Sequence, residues 1–356
     1  MPSTFSLIAD LPVEIDGYSL EALQREVTSG FTRNTTVVHL RGGREEGVGE
    51  DVVYDTEDQV ALQEAGPVHD LSGKWALGEL CRHLDELDLF PVEPQRDVSR
   101  RYRRWTFHSA ALDLALRQVR RPLHEVLGRE PQPVTFVVSL RLSAPGSEEP
   151  ATLAPLTARL DLYPTLRFKL DPTSDWDDEL VAALAATGAV DSVDFKSFYT
   201  GTPVDQATDP ALYRRVVDAL PDAWIEDADV ADPGARAILE PHRDRLTWDA
   251  PIHSIADIEA LDWKPRMVNV KPSRIGGLEL LLDAYDYCAR EGIGAYGGGQ
   301  FELGPGRGQN QYLASLFHAG TPNDIAPTGY NEAVLPHGLP ASPLPPAPAP
   351  TGFRWG

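Results

Sequence analysis

From residue 134 onward, short apolar stretches alternate with helical ones at the rhythm of a repeated β-α unit, and nothing else in the chain restricts its fold as much. The strand-like stretches are VTFVVSLRL, TLRFKLD, VDSVDF, AWIED, LTWDAP, RMVNVK, IGAYGGG and, more weakly, DIAP. Between them, DDELVAALAATG, DPALYRRVVDAL, PGARAILEPHRDR, SIADIEAL, LELLLDAYDYCAREG and GQNQYLASLFHA carry apolar residues at helical spacing. Eight strands with intervening helices over some 190 residues predict a (β/α) barrel. An open doubly wound sheet satisfies the same alternation and stands as the alternative.

The preceding residues read differently. TTVVHLRG is strand-like, GGREEGVGEDVVYD is a glycine turn leading into another strand, and SGKWALGELCRHLDEL and RWTFHSAALDLALRQV have helical spacing. Strands followed by helices predict a separate α+β domain. The expected division is therefore 1–130 for that domain, 131–328 for the barrel and 329–356 for a proline-rich tail, with Phe353 and Trp355 as anchors where the tail packs back.

Charge narrows the function. With 32 Lys and Arg against 54 Asp and Glu, the formal charge is −22. Such a surface repels phosphate backbones and anionic membranes, and no basic block is present, so neither nucleic acid nor membrane is an expected partner. An anionic small molecule would need a local positive centre, either a metal ion or a buried lysine. Cys81 and Cys288, far apart in sequence, read as two buried thiols in a reducing compartment. The start shows no basic and apolar leader, and no apolar run reaches the ~20 residues of a membrane span. The expectation is a soluble, cytoplasmic protein.

The strand ends carry the chemistry. Lys169, Asp194, Glu226, Asp249 and Lys271 close successive strands at gaps of 25, 32, 23 and 22 residues, about one β-α unit each. One such residue is ordinarily a loop cap; five in register place one charged group per stave at the same end of a barrel, where barrel enzymes keep their active sites. The three acids sit on consecutive strands and can converge. Carboxylates at close range repel unless a cation neutralises them, and an all-oxygen donor set suits Mg²⁺ or Mn²⁺. The two lysines lie four staves apart, so Lys271 faces Lys169 across the mouth.

In this order the chain resembles the enolase superfamily, specifically the muconate-lactonizing subgroup with a lysine on each side of the site. GVGEDVVYD is similar to the glycine and acid turn of the capping domain, and FHSAALDLALRQVRRPLHEVLG to the helix and connector that lead into the barrel. RFK resembles the subgroup's Lys-x-Lys motif with Arg167 in place of its first lysine. KPSRIGGLEL and GGQFELGPGRGQNQYLASLF are similar to the stretches around the second lysine and the seventh strand. The resemblance implies a modified (β/α)8 TIM-type barrel, (β/α)7β, under an N-terminal α+β capping domain. It implies metal-ligand roles for Asp194, Glu226 and Asp249, with Mg²⁺ or Mn²⁺ as cofactor, and acid/base roles for Lys169 and Lys271. By analogy with relatives it also implies a homo-oligomer.

The implied reaction removes the proton α to the carboxylate of a small substrate. Racemisation or epimerisation, cycloisomerisation and β-elimination all remain open outcomes. Arg167, two residues before Lys169, is expected to lower that lysine's pKa by repulsion and to join Lys196, Gln300 and Glu302 around the substrate. LPVEIDGYSL and REEGVGEDVVYD are expected as lids. Three departures stand out: Lys196 where relatives carry Asn, Ala228 where they carry Pro, and Ala250 where they carry Glu. Lys196 can swing outward, pair with a carboxylate or bring a third cation to the site. These changes motivate a second reading, a catalytically silent binding scaffold; a third is an aldolase using Lys271 as a Schiff base.

Overall fold

Parallel strands of only two to five residues build the barrel wall. The computed structural model describes residues 3–27, 32–143, 149–202, 204–332 and 334–356. The first five strands, β1 (Pro12–Ile15), β2 (Gly17–Glu26), β3 (Thr32–Gly42), β4 (Glu45–Asp51) and β5 (Gly73–Ala76), belong to the N-terminal part. The wall consists of β6 (Val138–Leu140), β7 (Phe168–Leu170), β8 (Val190–Asp194), β9 (Trp224–Glu226), β10 (Leu246–Thr247), β11 (Met267–Asn269) and β12 (Gly294–Tyr296).

Strands β6 to β10 pair in sequence order and in parallel, as do β11 and β12. The Asn269 N–H donates to Trp248 O at 2.9 Å and joins the two sheets. The ring closes at the start of the DIAP stretch through single parallel bridges, Gly298 with Asp324 and Phe136 with the preceding Asn323. The architecture is a capped TIM-type barrel of the (β/α)7β form. Every residue of β7 and β11 is buried, as expected of strands covered on both faces.

The crossover helices start where the sequence supplies caps. Asp177, Asp209, Asp232 and Ser254 each accept a backbone N–H of the first turn, and Pro210 and Pro233 occupy the position where a missing donor does no harm. Two helical readings need correction. The opening of SGKWALGEL is strand β5, paired with β1; the helix begins only at Leu77, where the Glu79 carboxylate accepts the Ala76 N–H. PGARAILEPHRDR breaks after Leu239 into a 3-10 turn, because Pro241 has no N–H to continue the ladder. The helix Ala154–Leu162 had no counterpart in the sequence reading.

The two expected lids are strands instead. LPVEIDGYSL forms β1 and the start of β2, and β2, β3 and β4 make an antiparallel sheet. Strand β4 lies flat on the helix Ser99–Gln118, because Gly47 and Gly49 let the backbones meet; a Cβ at either would overlap Ala110 O or Thr106 O. The tail lies on the same helix. Phe353 is buried against Trp105 and Tyr312, while Asp113 accepts the Phe353 N–H at 2.8 Å and Arg354 Nε at 2.9 Å. Cys81 and Cys288 are buried free thiols. Among the described residues, no helix is long and apolar enough to cross a membrane.

Candidate active site

Register brings the acids together before any side chain is considered. Asp194 and Glu226, the last residues of β8 and β9, are direct partners across the parallel ladder. Asp249 stands two residues past β10, and Lys271 two past β11. Lys169 occupies the middle of β7. All five are buried.

Lys169 Nζ donates to Glu226 Oε1 and lies 3.0 Å from Asp194 Oδ2 and 3.7 Å from Asp324 Oδ2. Lys271 Nζ donates to Asp249 Oδ2 at 2.8 Å. A Cβ at Gly298 would overlap the Lys271 side chain, so this position must lack one for the lysine to reach the mouth. Lys196 Nζ donates to Asp194 Oδ2. The site therefore gathers the three predicted carboxylates, the two predicted lysines and Lys196, with Lys196 turned inward.

Four further side chains belong here that the sequence reading did not single out. Arg274 Nη1 donates to Asp249 O at 3.0 Å, and its Nη2 is 3.5 Å from Asp249 Oδ2. Tyr296 OH donates to Glu226 Oε2, and Tyr199 OH donates to Asp249 Oδ2 at 3.4 Å. Asp227, at φ +50°, accepts the N–H groups of Asp249 at 2.8 Å and Ala250 at 3.0 Å. Asp227 also has a carboxylate oxygen within 4.8 Å of those of Asp194 and Glu226. The available signals were the second acid in IEDAD and the arginine in KPSRIGG.

The electrostatics follow from burial and pairing. Burial resists ionisation of Asp194 and Asp249, yet Lys169 and Lys196 hold Asp194, and Arg274 and Lys271 hold Asp249, well below the usual carboxylate range. Glu226 goes the other way: burial, with the neighbouring Asp194 and Asp249 charges, outweighs Lys169 and lifts it well above that range. Asp227 is pushed up to about 7, chiefly by burial and then by Asp194 and Asp249. Burial works against the Lys169 ammonium, but Asp194, Glu226 and Asp324 overcome it and raise its pKa well above an ordinary lysine's.

That direction corrects the role expected of Arg167. Its Nε donates to Asp191 Oδ1 at 2.9 Å and its Nη1 to Gly188 O, on the helix-to-strand connection that enters β8. Strand β7 begins only at Phe168, so alternation does not carry Arg167 to the mouth. Gln300 donates through Nε2 to Ser273 Oγ at 2.6 Å, and its N–H goes to Glu302 Oε1 at 2.7 Å. Glu302 pairs with Arg307 at 2.9 Å. These two residues form a buried network past β12, reached from the capping domain by Arg33, whose Nη2 donates to Gln300 O at 3.0 Å.

Comparison with known proteins adds the context. Residues 6–126 and 130–332 match the N-terminal and C-terminal domains of a domain of unknown function, DUF8230. The chain is similar to o-succinylbenzoate synthase from Bacillus subtilis, 41% identical over 61 residues, which is 17% of this chain and 16% of that protein. It is also similar to o-succinylbenzoate synthase from Geobacillus stearothermophilus, 25% identical over 265 residues, covering 72% of this chain and 66% of the relative. The chain thus matches less than two thirds of the length of either relative. Among solved structures it resembles a dipeptide epimerase from Methylococcus capsulatus complexed with Mg and the dipeptide L-Arg-D-Lys. That match has a TM-score of 0.64 and 20% identity, and covers 90% of this chain and 92% of the other.

Proposed function

The chain belongs to the DUF8230 family and has the fold of the enolase superfamily, and on that premise we propose that it is a Mg²⁺-dependent enzyme that removes the proton α to the carboxylate of a small substrate. One observation carries the reading: two buried lysines and three buried carboxylates from five different β-α units meet at one end of the barrel.

The donor set fits a hard dication. Asp249 Oδ1 is buried and has no hydrogen-bond partner, and Asp194, Glu226 and Asp227 bring carboxylate oxygens within 4.8 Å of one another. Asp194, Glu226 and Asp249 would hold the ion, while Asp227, committed to the Asp249 and Ala250 N–H groups, fixes the loop that presents Asp249. When bound, the ion supplies positive charge against which an enolate's second negative charge can form.

The chain's own residues do the rest. Lys169 keeps its proton on Nζ because Asp194 and Glu226 hold it there. Carboxylates whose charge is engaged elsewhere release that hold, and burial then favours the neutral amine, a base for the α proton. Lys271 Nζ, on the Asp249 side, returns a proton to give racemisation or epimerisation. If Lys271 instead only holds the enolate by charge, cycloisomerisation or β-elimination follows. The likeness to a dipeptide epimerase supports the first of these outcomes.

The test is deuterium uptake at the α position, followed by NMR in D₂O over a carboxylate library with Mg²⁺. Lys169→Ala and Lys271→Ala should each lower uptake by about 10²- to 10⁴-fold; uptake that survives both ends the reading. A second reading, a silent binding scaffold, draws on one observation: Asp194, Glu226 and Asp249 already have cationic partners in Lys169, Lys196, Lys271 and Arg274. It requires that millimolar Mg²⁺ leave the melting temperature unchanged.

A further inference from the structure

Lys196 stands beside two carboxylates and satisfies only one. Its backbone takes φ +57°, and its ammonium donates to Asp194 Oδ2 while lying 3.7 Å from Asp171 Oδ1. Asp171 follows β7 and Lys196 follows β8, so the pair faces across neighbouring strand ends. The other oxygen of Asp171 accepts Arg141 Nε at 2.8 Å. Oδ1 is buried and accepts no hydrogen bond, a state that disfavours a carboxylate unless a donor comes within reach.

Building on the metal-dependent reading above, we propose that Lys196 is an internal counter-ion with two seats. It neutralises Asp194 when no dication is bound, and it moves to Asp171 Oδ1 when Asp194 turns to the ion. Asp171 is then a positioning residue whose function is to receive the displaced ammonium. Two consequences follow from linkage. The chain binds its ion more weakly than it would without Lys196, because binding must first break an ion pair. The displaced charge stays at the mouth, near the Tyr199 ring, whose centre lies 5.2 Å from the ammonium while it is paired with Asp194.

The experiment is a Mn²⁺ titration of the full chain without substrate, with free Mn²⁺ measured by electron paramagnetic resonance. The proteins compared are wild type, Lys196→Asn, Lys196→Gln, Asp171→Asn and the Lys196→Asn/Asp171→Asn double variant. Asparagine tolerates positive φ, and circular dichroism confirms folding of each protein. Both Lys196 variants should bind Mn²⁺ at least about tenfold more tightly. Asp171→Asn alone should weaken binding by about fivefold, and should change it little once Lys196 is replaced. Equal affinity in wild type and the Lys196 variants overturns the proposal, as does an Asp171→Asn loss of the same size in both backgrounds; either result leaves the metal-dependent reading standing. Absence of Mn²⁺ uptake by every protein overturns the metal-dependent reading and, with it, the counter-ion role.

Discussion

Two buried ionic centres in this molecule are built to different standards. In the capping domain, Arg103 is fully enclosed and each guanidinium nitrogen has a partner: Asp51 Oδ2 at 2.8 Å, Asp58 O at 2.9 Å and Leu89 O at 3.3 Å, with the face of Phe90 at 3.7 Å. At the barrel mouth the charges are as deeply buried, yet Asp249 Oδ1, Asp171 Oδ1 and both amide atoms of Asn269 have no hydrogen-bond partner. A finished ion pair holds a fold together. An unfinished one, kept at a cost of about 1–3 kcal/mol per orphaned group, makes sense where something else is meant to bind.

The difference can be broken by mutation. Arg103→Met should destabilise the fold by about 3–5 kcal/mol in urea denaturation, because it strands Asp51 in the interior. Lys169→Met should cost no more than ~2 kcal/mol, since Lys196 still covers Asp194 and Tyr296 still donates to Glu226. Equal costs at the two sites would erase the distinction.

A third buried centre sharpens it by titration. His318 lies beside the barrel closure with one ring nitrogen 2.6 Å from Asn323 Oδ1 and the other 3.2 Å from Tyr285 OH, and burial pushes its pKa down from 6.5 to about 4. Below about 6.5 the unfolded chain takes up a proton that the folded one refuses. The contribution is therefore present above that pH and is lost as pH falls toward 4, by roughly 3 kcal/mol in all. Denaturation midpoints measured across this window should flatten in His318→Gln.

A further effect is expected from the ion itself. Mg²⁺ at about 100 times its dissociation constant should add nearly 3 kcal/mol to the stability of wild type and nothing to Asp194→Asn. Thermal shift detects the difference.

What the sequence disclosed, and what it hid, has a physical pattern. The five charges at or near the strand ends were legible because a β-α unit has a nearly fixed length, so spacing pointed to Lys169, Asp194, Glu226, Asp249 and Lys271. Side chains outside that rhythm were not. Arg274 sits on the short helix after β11, Tyr296 looks like any aromatic in an apolar strand, and Asp227 faces inward only because the backbone turns to positive φ. Arg167 failed for the opposite reason: the two-residue alternation was applied one residue before the strand starts. Among elements, DIAP was weak as a strand because it closes the ring with single bridges rather than a ladder. The supposed lids turned out to be strands, since residues 11–20 pair with β5 and β3.

The clasp around Asp113 has a bearing on how the molecule is assembled. This buried carboxylate receives the Val48 N–H at 2.9 Å from the capping sheet and the Phe353 N–H from 240 positions downstream. During synthesis from the N-terminus, the early sheet and its long helix can form while the barrel is still being made. The seam between them is left unsealed until residue 353 has left the ribosome. Arrest of translation anywhere before that point should leave an Asp113 that the cap alone cannot satisfy.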